Sequence, residues 1–151
     1  MVTLVGTQSD FNDVVIALLE LEYDATEAYR LAVKKLSNTI CKVTINEFLS
    51  DHERHIKEIK IHYSDKLDLP DSADLIKGSM AKLKVLIGDI TDSDINILRA
   101  MLDNEKDTNT AYERVVNHSG IPDTMKGVFI RAYDDEKRHK KWLEDYISGH
   151  K

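Results

Sequence analysis

The chain has 151 residues, 42% of them hydrophobic and 32% charged, with a net charge of −6. A chain of that size is expected to form one globular domain spanning 1–151, burying roughly 70% of its unfolded surface without covalent staples. The acidic balance excludes nucleic acid as the main partner, since phosphate binding needs a basic patch, and the single cysteine, Cys41, excludes an intrachain disulfide.

Only two prolines and six glycines interrupt a chain rich in Leu, Ile, Glu, Lys and Asp, which predicts an all-α fold. The opening "MVTLVGTQSD" has no basic region ahead of its short apolar run, so no signal peptide is expected. No stretch of about 18 apolar residues is available to span a membrane. A soluble, cytoplasmic helical domain is the expectation.

The first predicted helix covers roughly 10–36, with Ser9 or Asp10 as its N-cap. Its apolar stripe, at three- and four-residue spacing, is Val15, Leu18, Glu22, Ala25, Tyr29, Ala32 and Leu36. The second, roughly 39–63, carries Ile45, Phe48, His52, His55 and Ile59. A long connection follows, in which Pro70 and Asp71-Ser72 mark a turn and cap before a shorter amphipathic helix over 73–88. The next long helix, roughly 93–118, places Leu98, Met101, Glu105, Thr108, Tyr112 and Val115 on one face. The last, roughly 122–148, opens at Pro122, which suits a first turn, and presents Met125, Phe129, Ala132, Glu136, His139, Leu143 and Tyr146.

Each long helix has about 25 residues, hence a length of about 38 Å, and matched lengths suit a four-helix bundle. The short links after the first and third long helices predict two antiparallel hairpins. The long connection leaves room for one crossover carrying the short helix, so the second and third long helices run parallel.

The two hairpins repeat one another. "EYDATEAYRLAV" (22–33) matches "EKDTNTAYERVV" (105–116) at an offset of 83, and "DHERHIK" (51–57) matches "DEKRHKK" (135–141) at an offset of 84. Two blocks agreeing at nearly one offset predict a duplicated hairpin and a pseudo-two-fold axis.

Glu22, His52, His55, Glu105, Glu136 and His139 all fall within apolar stripes, at one level of the bundle. A buried carboxylate costs several kcal/mol unless it is paired or metal-bound. The i, i+3 spacing of Glu136 and His139 lets both reach one ion, and carboxylate with imidazole suits iron, manganese or zinc. The competing reading for the glutamates is a buried ion pair with Arg or Lys, and for the histidines a hydrogen-bonded core position. Asp51 and Asp135 are expected mainly on a solvated face, the other reading being that they orient the histidines.

On these residues the chain resembles the ferritin-like superfamily, the rubrerythrin and bacterioferritin type of di-iron carboxylate bundle. Its pattern is Glu on the first helix, Glu-x-x-His on the second, Glu on the third and Glu-x-x-His on the fourth. The "E-x-D-x-x-x-A-Y" blocks are also similar to a small bacterial branch of that superfamily with no assigned function. The resemblance implies Glu22 and Glu105 as terminal ligands, Glu136 as a bridge, and His55 and His139 as one imidazole per metal. His52 departs from the pattern, standing where the family has a second bridging Glu. A hydroxide or oxo bridge, Glu53 swinging in from the flank, or a single ion would each accommodate it. Tyr29 and Tyr112 would hydrogen-bond a ligand or relay electrons, or else pack in the core with a polar tip.

The function so implied is that of a redox-active, non-haem di-iron protein, oxidising Fe(II) or reducing O₂ or peroxide. Its electrons would come from a separate donor, since the Cys-x-x-Cys pairs of a rubredoxin-type domain are missing. The alternatives are a metal-binding or stress-response bundle without turnover, holding zinc or one iron, and a metal-free bundle. No catalytic residue is assigned beyond the ligands.

Overall fold

The computed structural model describes residues 2–71 and 93–150. The short helix expected over 73–88 lies outside the described residues. Those described form four long helices, α1 (Phe11–Lys35), α2 (Thr39–Tyr63), α3 (Asp94–Val116) and α4 (Asp123–Gly149), and no strand.

Local chemistry sets the ends. The Asp10 side chain accepts from Asn12 N at 2.8 Å and starts α1, while Lys34 and Lys35 complement the helix dipole in its last turn. Leu36 turns extended, and two residues later Asn38 caps α2 by accepting from Cys41 N at 3.0 Å. Both oxygens of Asp94 accept from this turn, Oδ1 from Ser37 N at 2.9 Å and Oδ2 from Asn38 N at 2.7 Å. The start of α3 is thereby tied to the α1–α2 link. Pro122 sits one residue earlier than expected, at the N-cap of α4 rather than in its first turn.

Two apolar clusters show how the helices run. One gathers Ala32 and Leu36 from the end of α1, Cys41 and Ile45 from the start of α2, Leu98 and Met101 from the start of α3, and Leu143 and Ile147 from the end of α4. The other gathers Val14 and Leu18, Ile59 and Tyr63, Tyr112 and Val115, and Met125 and Phe129, from the opposite ends. Within each hairpin the helices are therefore antiparallel, and α2 runs parallel to α3. Between the clusters lies a layer of fully buried polar side chains: Glu22, His52, Glu105, Thr108, Glu136 and His139, with His55 beside them. No described helix is long and apolar enough to cross a membrane.

Candidate metal centre

Each helix brings its share of the layer because the polar residue occupies a stripe position. Glu22 comes from α1, His52 and His55 from α2, Glu105 from α3, and Glu136 and His139 from α4. The six residues fall into two overlapping groups: Glu22, His52, His55 and Glu136, and His52, Glu105, Glu136 and His139. In each group one ligand-type atom per residue lies within 4.8 Å of the others. His52 and Glu136, equivalent at the 84-residue offset, are the members both groups share.

The ring of His52 spans the two groups. Its Nδ1 lies 3.1 Å from Glu22 Oε2 and 3.4 Å from Glu136 Oε1, and its Nε2 lies 3.2 Å from Glu105 Oε1. Burial would lower its pKa, but Glu136 and Glu22 outweigh burial and hold it well above the usual imidazole range. His52 is thus a cation among carboxylates. Burial likewise opposes ionisation of Glu22, yet His52 and His55 hold its carboxyl down to about 2. Glu105 is also held well below its usual value, because hydrogen bonds from His139 and His52 outweigh burial. Glu136 goes the other way: burial and the Glu105 charge push it well above the usual range. Among the described residues the ion-pair partners of all three glutamates are histidines, not Arg or Lys.

The other two histidines are oriented from the opposite hairpin. His55 Nε2–H donates to Asp135 Oδ2 at 2.9 Å, and His139 Nε2–H to Asp51 Oδ2 at 2.8 Å. These bonds turn both Nδ1 atoms inward, and a carboxylate behind an imidazole fixes the ring and raises its basicity as a ligand. Arg54 donates to Asp135 and Arg138 to Asp51, each at 2.6 Å, which completes the crossed pattern. Burial would raise the pKa of each Asp, but the His and Arg hydrogen bonds hold both well below the usual carboxylate range. The expectation of a solvated face for Asp51 and Asp135 is therefore corrected. Their partners lie across the α2–α4 seam, which helical spacing within one helix does not reveal.

The flanking candidates divide. The Tyr29 hydroxyl donates to Glu105. The Tyr112 hydroxyl is buried without a hydrogen-bond partner, its ring edge-on to His55 at 5.7 Å. Glu53 points outward, half-exposed, 3.5 Å from Arg30, and is not brought to the layer. Thr108 was not singled out from the sequence, although it lies on the stripe one turn beyond Glu105. Its hydroxyl lies 2.7 Å from Glu136 Oε2 and 3.2 Å from Glu105 Oε2. Asn109 donates to the backbone carbonyls of both Glu105 and Glu136, at 2.8 and 3.0 Å, and holds α3 against α4 at this level.

The fit of this donor set to a metal ion can be tested on its unsatisfied atoms. Glu22 Oε1, His55 Nδ1 and Glu136 Oε1 are buried and have no hydrogen-bond partner. Each such atom costs about 1–3 kcal/mol, and three in one four-residue group is a concentration that a single divalent cation would relieve. Carboxylate and imidazole donors of this kind suit iron, manganese or zinc. Comparison of the chain with protein-family models, with curated proteins and with solved structures returns no match.

Proposed function

We propose that the chain is a metal-binding four-helix bundle of the ferritin-like, di-iron carboxylate kind, whose buried layer holds non-haem iron and turns over an oxidant. The observation that carries this reading is the pair of donor groups sharing His52 and Glu136, with three unsatisfied donor atoms among them. Glu22 with His55, and Glu105 with His139, would hold the outer side of each half-site, and Glu136 would serve both. The matching sequence blocks and the crossed Asp–His pairs support a duplicated hairpin as the origin of the two halves. Iron so bound would supply one-electron chemistry toward O₂ or peroxide, with Fe(II) or a separate donor protein as the source of electrons.

The chain's own residues do the rest. Asp51 and Asp135 hold the Nε2 protons of His139 and His55, so that each Nδ1 lone pair faces inward. The apolar clusters above and below exclude water, which strengthens every electrostatic interaction in the layer. Glu136, whose carboxyl is held well above its usual range by burial and the Glu105 charge, would release its proton to solvent on holding a cation. The Tyr29 hydroxyl supports Glu105 and the Thr108 hydroxyl lies between Glu105 and Glu136.

A second reading, a bundle holding zinc or a single ion without turnover, is favoured by one observation: His52 already sits between Glu22 and Glu105. The deciding experiment is anaerobic loading with Fe(II), removal of loose metal, elemental analysis, and then exposure to O₂ or peroxide. Retained iron with an oxidant-dependent rise in near-ultraviolet absorption is the expected result. Retained iron that stays silent would select the second reading, and no retained iron or zinc would leave a metal-free bundle.

A further inference from the structure

A line of rings leaves the buried layer on one side and ends in solvent. His139, Trp142, Tyr146 and His150 follow one another at spacings of three, four and four residues, which sets them along one ridge of α4 and its C-cap. Phe48 of α2 completes the line where it meets the layer. Its ring stacks on His139 with centroids 4.1 Å apart and meets Trp142 edge-on at 5.8 Å. Trp142 stacks on Tyr146 at 5.1 Å, and Tyr146 on His150 at 3.9 Å, the last pair within 9° of parallel. Burial falls along the line: His139 and Phe48 are buried, Trp142 and Tyr146 are half-buried, and His150 is exposed. Tyr29, whose hydroxyl donates to Glu105, faces the same Phe48 ring at 6.5 Å.

Core packing accounts for Phe48 and for the inner edges of Trp142 and Tyr146. It does not account for ring-on-ring contact at every step, nor for its presence on one side only. The second inward imidazole, His55, meets only the edge of Tyr112 at 5.7 Å, and among the described residues no further ring follows that fully buried tyrosine. Indole and phenol side chains give up one electron readily, and rings in contact pass it on. Carboxylate and aliphatic groups do neither. Among the described residues, the ladder from His139 to His150 is therefore the unbroken aromatic connection between the layer and solvent.

We propose that Phe48, Trp142, Tyr146 and His150 form the route by which electrons from a one-electron donor at the C-terminal end of α4 reach the layer beside His139. This rests on the reading of the layer as a redox metal centre and adds the place where electrons enter. Peroxide becomes two waters when its O–O bond breaks and it takes up two electrons, with two protons from solvent. Each electron that the layer lacks is drawn from the Trp142 indole, whose N–H proton passes to solvent. Phe48 is not itself oxidised; it fills the gap between His139 and the indole. Tyr146 returns an electron to the indolyl radical, which regains its proton from solvent as the phenolic proton leaves. The donor, a reduced one-electron carrier, then restores the phenol with one electron, and solvent returns its proton. Without a donor the oxidation stays on the ladder, at Trp142 and Tyr146.

The experiment takes the full chain loaded anaerobically with Fe(II), cleared of loose metal and given peroxide without a donor. Freeze-quench electron paramagnetic resonance and peptide mass spectrometry are the readouts. An organic radical is expected, with oxidation products on Trp142 and Tyr146 and none on Tyr23 or Tyr133, which are equally half-buried but off the ladder. Trp142→Phe, which keeps a ring and removes the oxidisable indole, should abolish the product on Tyr146. It should also slow re-reduction of the oxidised protein by hexaammineruthenium(II) by about tenfold or more. Tyr146→Phe should leave the product on Trp142 and raise its yield, and it covers the case in which Trp142→Phe does not fold, as read by circular dichroism. Products on Tyr29 or Tyr112 alone would overturn the proposal, because the oxidation then stays in the layer. Equal products on Tyr23 and Tyr133 would overturn it too, because the oxidant then acts from solution. Iron that reacts with peroxide and leaves no mark on the ladder likewise removes only the route. Iron that is not retained, or is retained and does not react, removes the redox reading and the route with it.

Discussion

Glu136 lies beside Glu105 and Glu22, and burial together with the Glu105 charge keeps its carboxyl well above the usual range. A cation bound there displaces that proton, so uptake releases acid and apparent affinity rises with pH. Glu22, held to about 2, is already ionised at neutral pH and adds nothing to this dependence. Zn(II) affinity should therefore increase between about pH 6 and about pH 8, with proton release measurable in weak buffer. Asp51→Asn and Asp135→Asn remove the acceptors behind His139 and His55, and each should weaken metal binding by about 10–100-fold in the half-site it supports. An unchanged affinity in both variants would mean that the histidines do not ligate through Nδ1. Asp24, outside the layer, carries a separate consequence. Burial, with Glu20 nearby, raises its carboxyl from 3.8 to about 7, and its Oδ1 has no hydrogen-bond partner. The folded state thus holds that proton more tightly than the unfolded chain. Its stabilising contribution is full below the unfolded pKa and is lost as pH rises through about 7. Asp24→Asn should raise stability by about 1 kcal/mol near pH 8 and give no gain near pH 4, as read from thermal melts at the two values.

At the scale of the helices, the stripes carried the information. Glu22, His52, Glu105, Glu136 and His139 were legible because a polar side chain at a core position of a 3.6-residue period demands a partner. The number of long helices and the parallel course of α2 and α3 were legible for a similar reason, since short links force hairpins and a long one permits a crossover. What helical spacing could not show is contact between helices. The bonds from Asp51 to His139 and from Asp135 to His55 cross the α2–α4 seam, as do the Arg54 and Arg138 bonds to the same carboxylates. Thr108 was hidden differently: a threonine on an apolar stripe passes for a neutral core residue until the carboxylates on either side of it are placed. The Asp94 clamp was equally invisible, because both its carboxylate oxygens accept from the α1–α2 turn, which is remote in sequence from the start of α3. Asp94→Ala strands two amide donors, Ser37 N and Asn38 N, and should cost about 1–2 kcal/mol in chemical denaturation.

At the scale of the whole molecule, two apolar clusters are separated by a layer of buried charged groups in which Glu22 Oε1, His55 Nδ1 and Glu136 Oε1 have no hydrogen-bond partner, so a bound ion would act on the middle of the bundle. A cation that binds the folded chain alone stabilises it by mass action, about 2.7 kcal/mol when free metal exceeds its dissociation constant by about 100-fold. Melting temperature should rise with Zn(II) concentration in the unmodified protein and stay flat in Glu22→Gln, a contrast that differential scanning calorimetry reads directly.

Because Asp51 serves His139 and Asp135 serves His55, each hairpin is custodian of the other's imidazole. A change that tilts one hairpin is felt first by an imidazole of the opposite one. Asp, Arg and His recur at the crossed positions of both hairpins, and of the three positions at which the two motifs differ, His52 against Glu136 is the one inside the buried layer. A chain assembled from the second hairpin twice over would keep both crossed pairs and carry a fourth carboxylate, giving a two-fold set of four glutamates and two histidines. Among the six buried Glu and His side chains, the present chain departs from that two-fold set at one ring, His52.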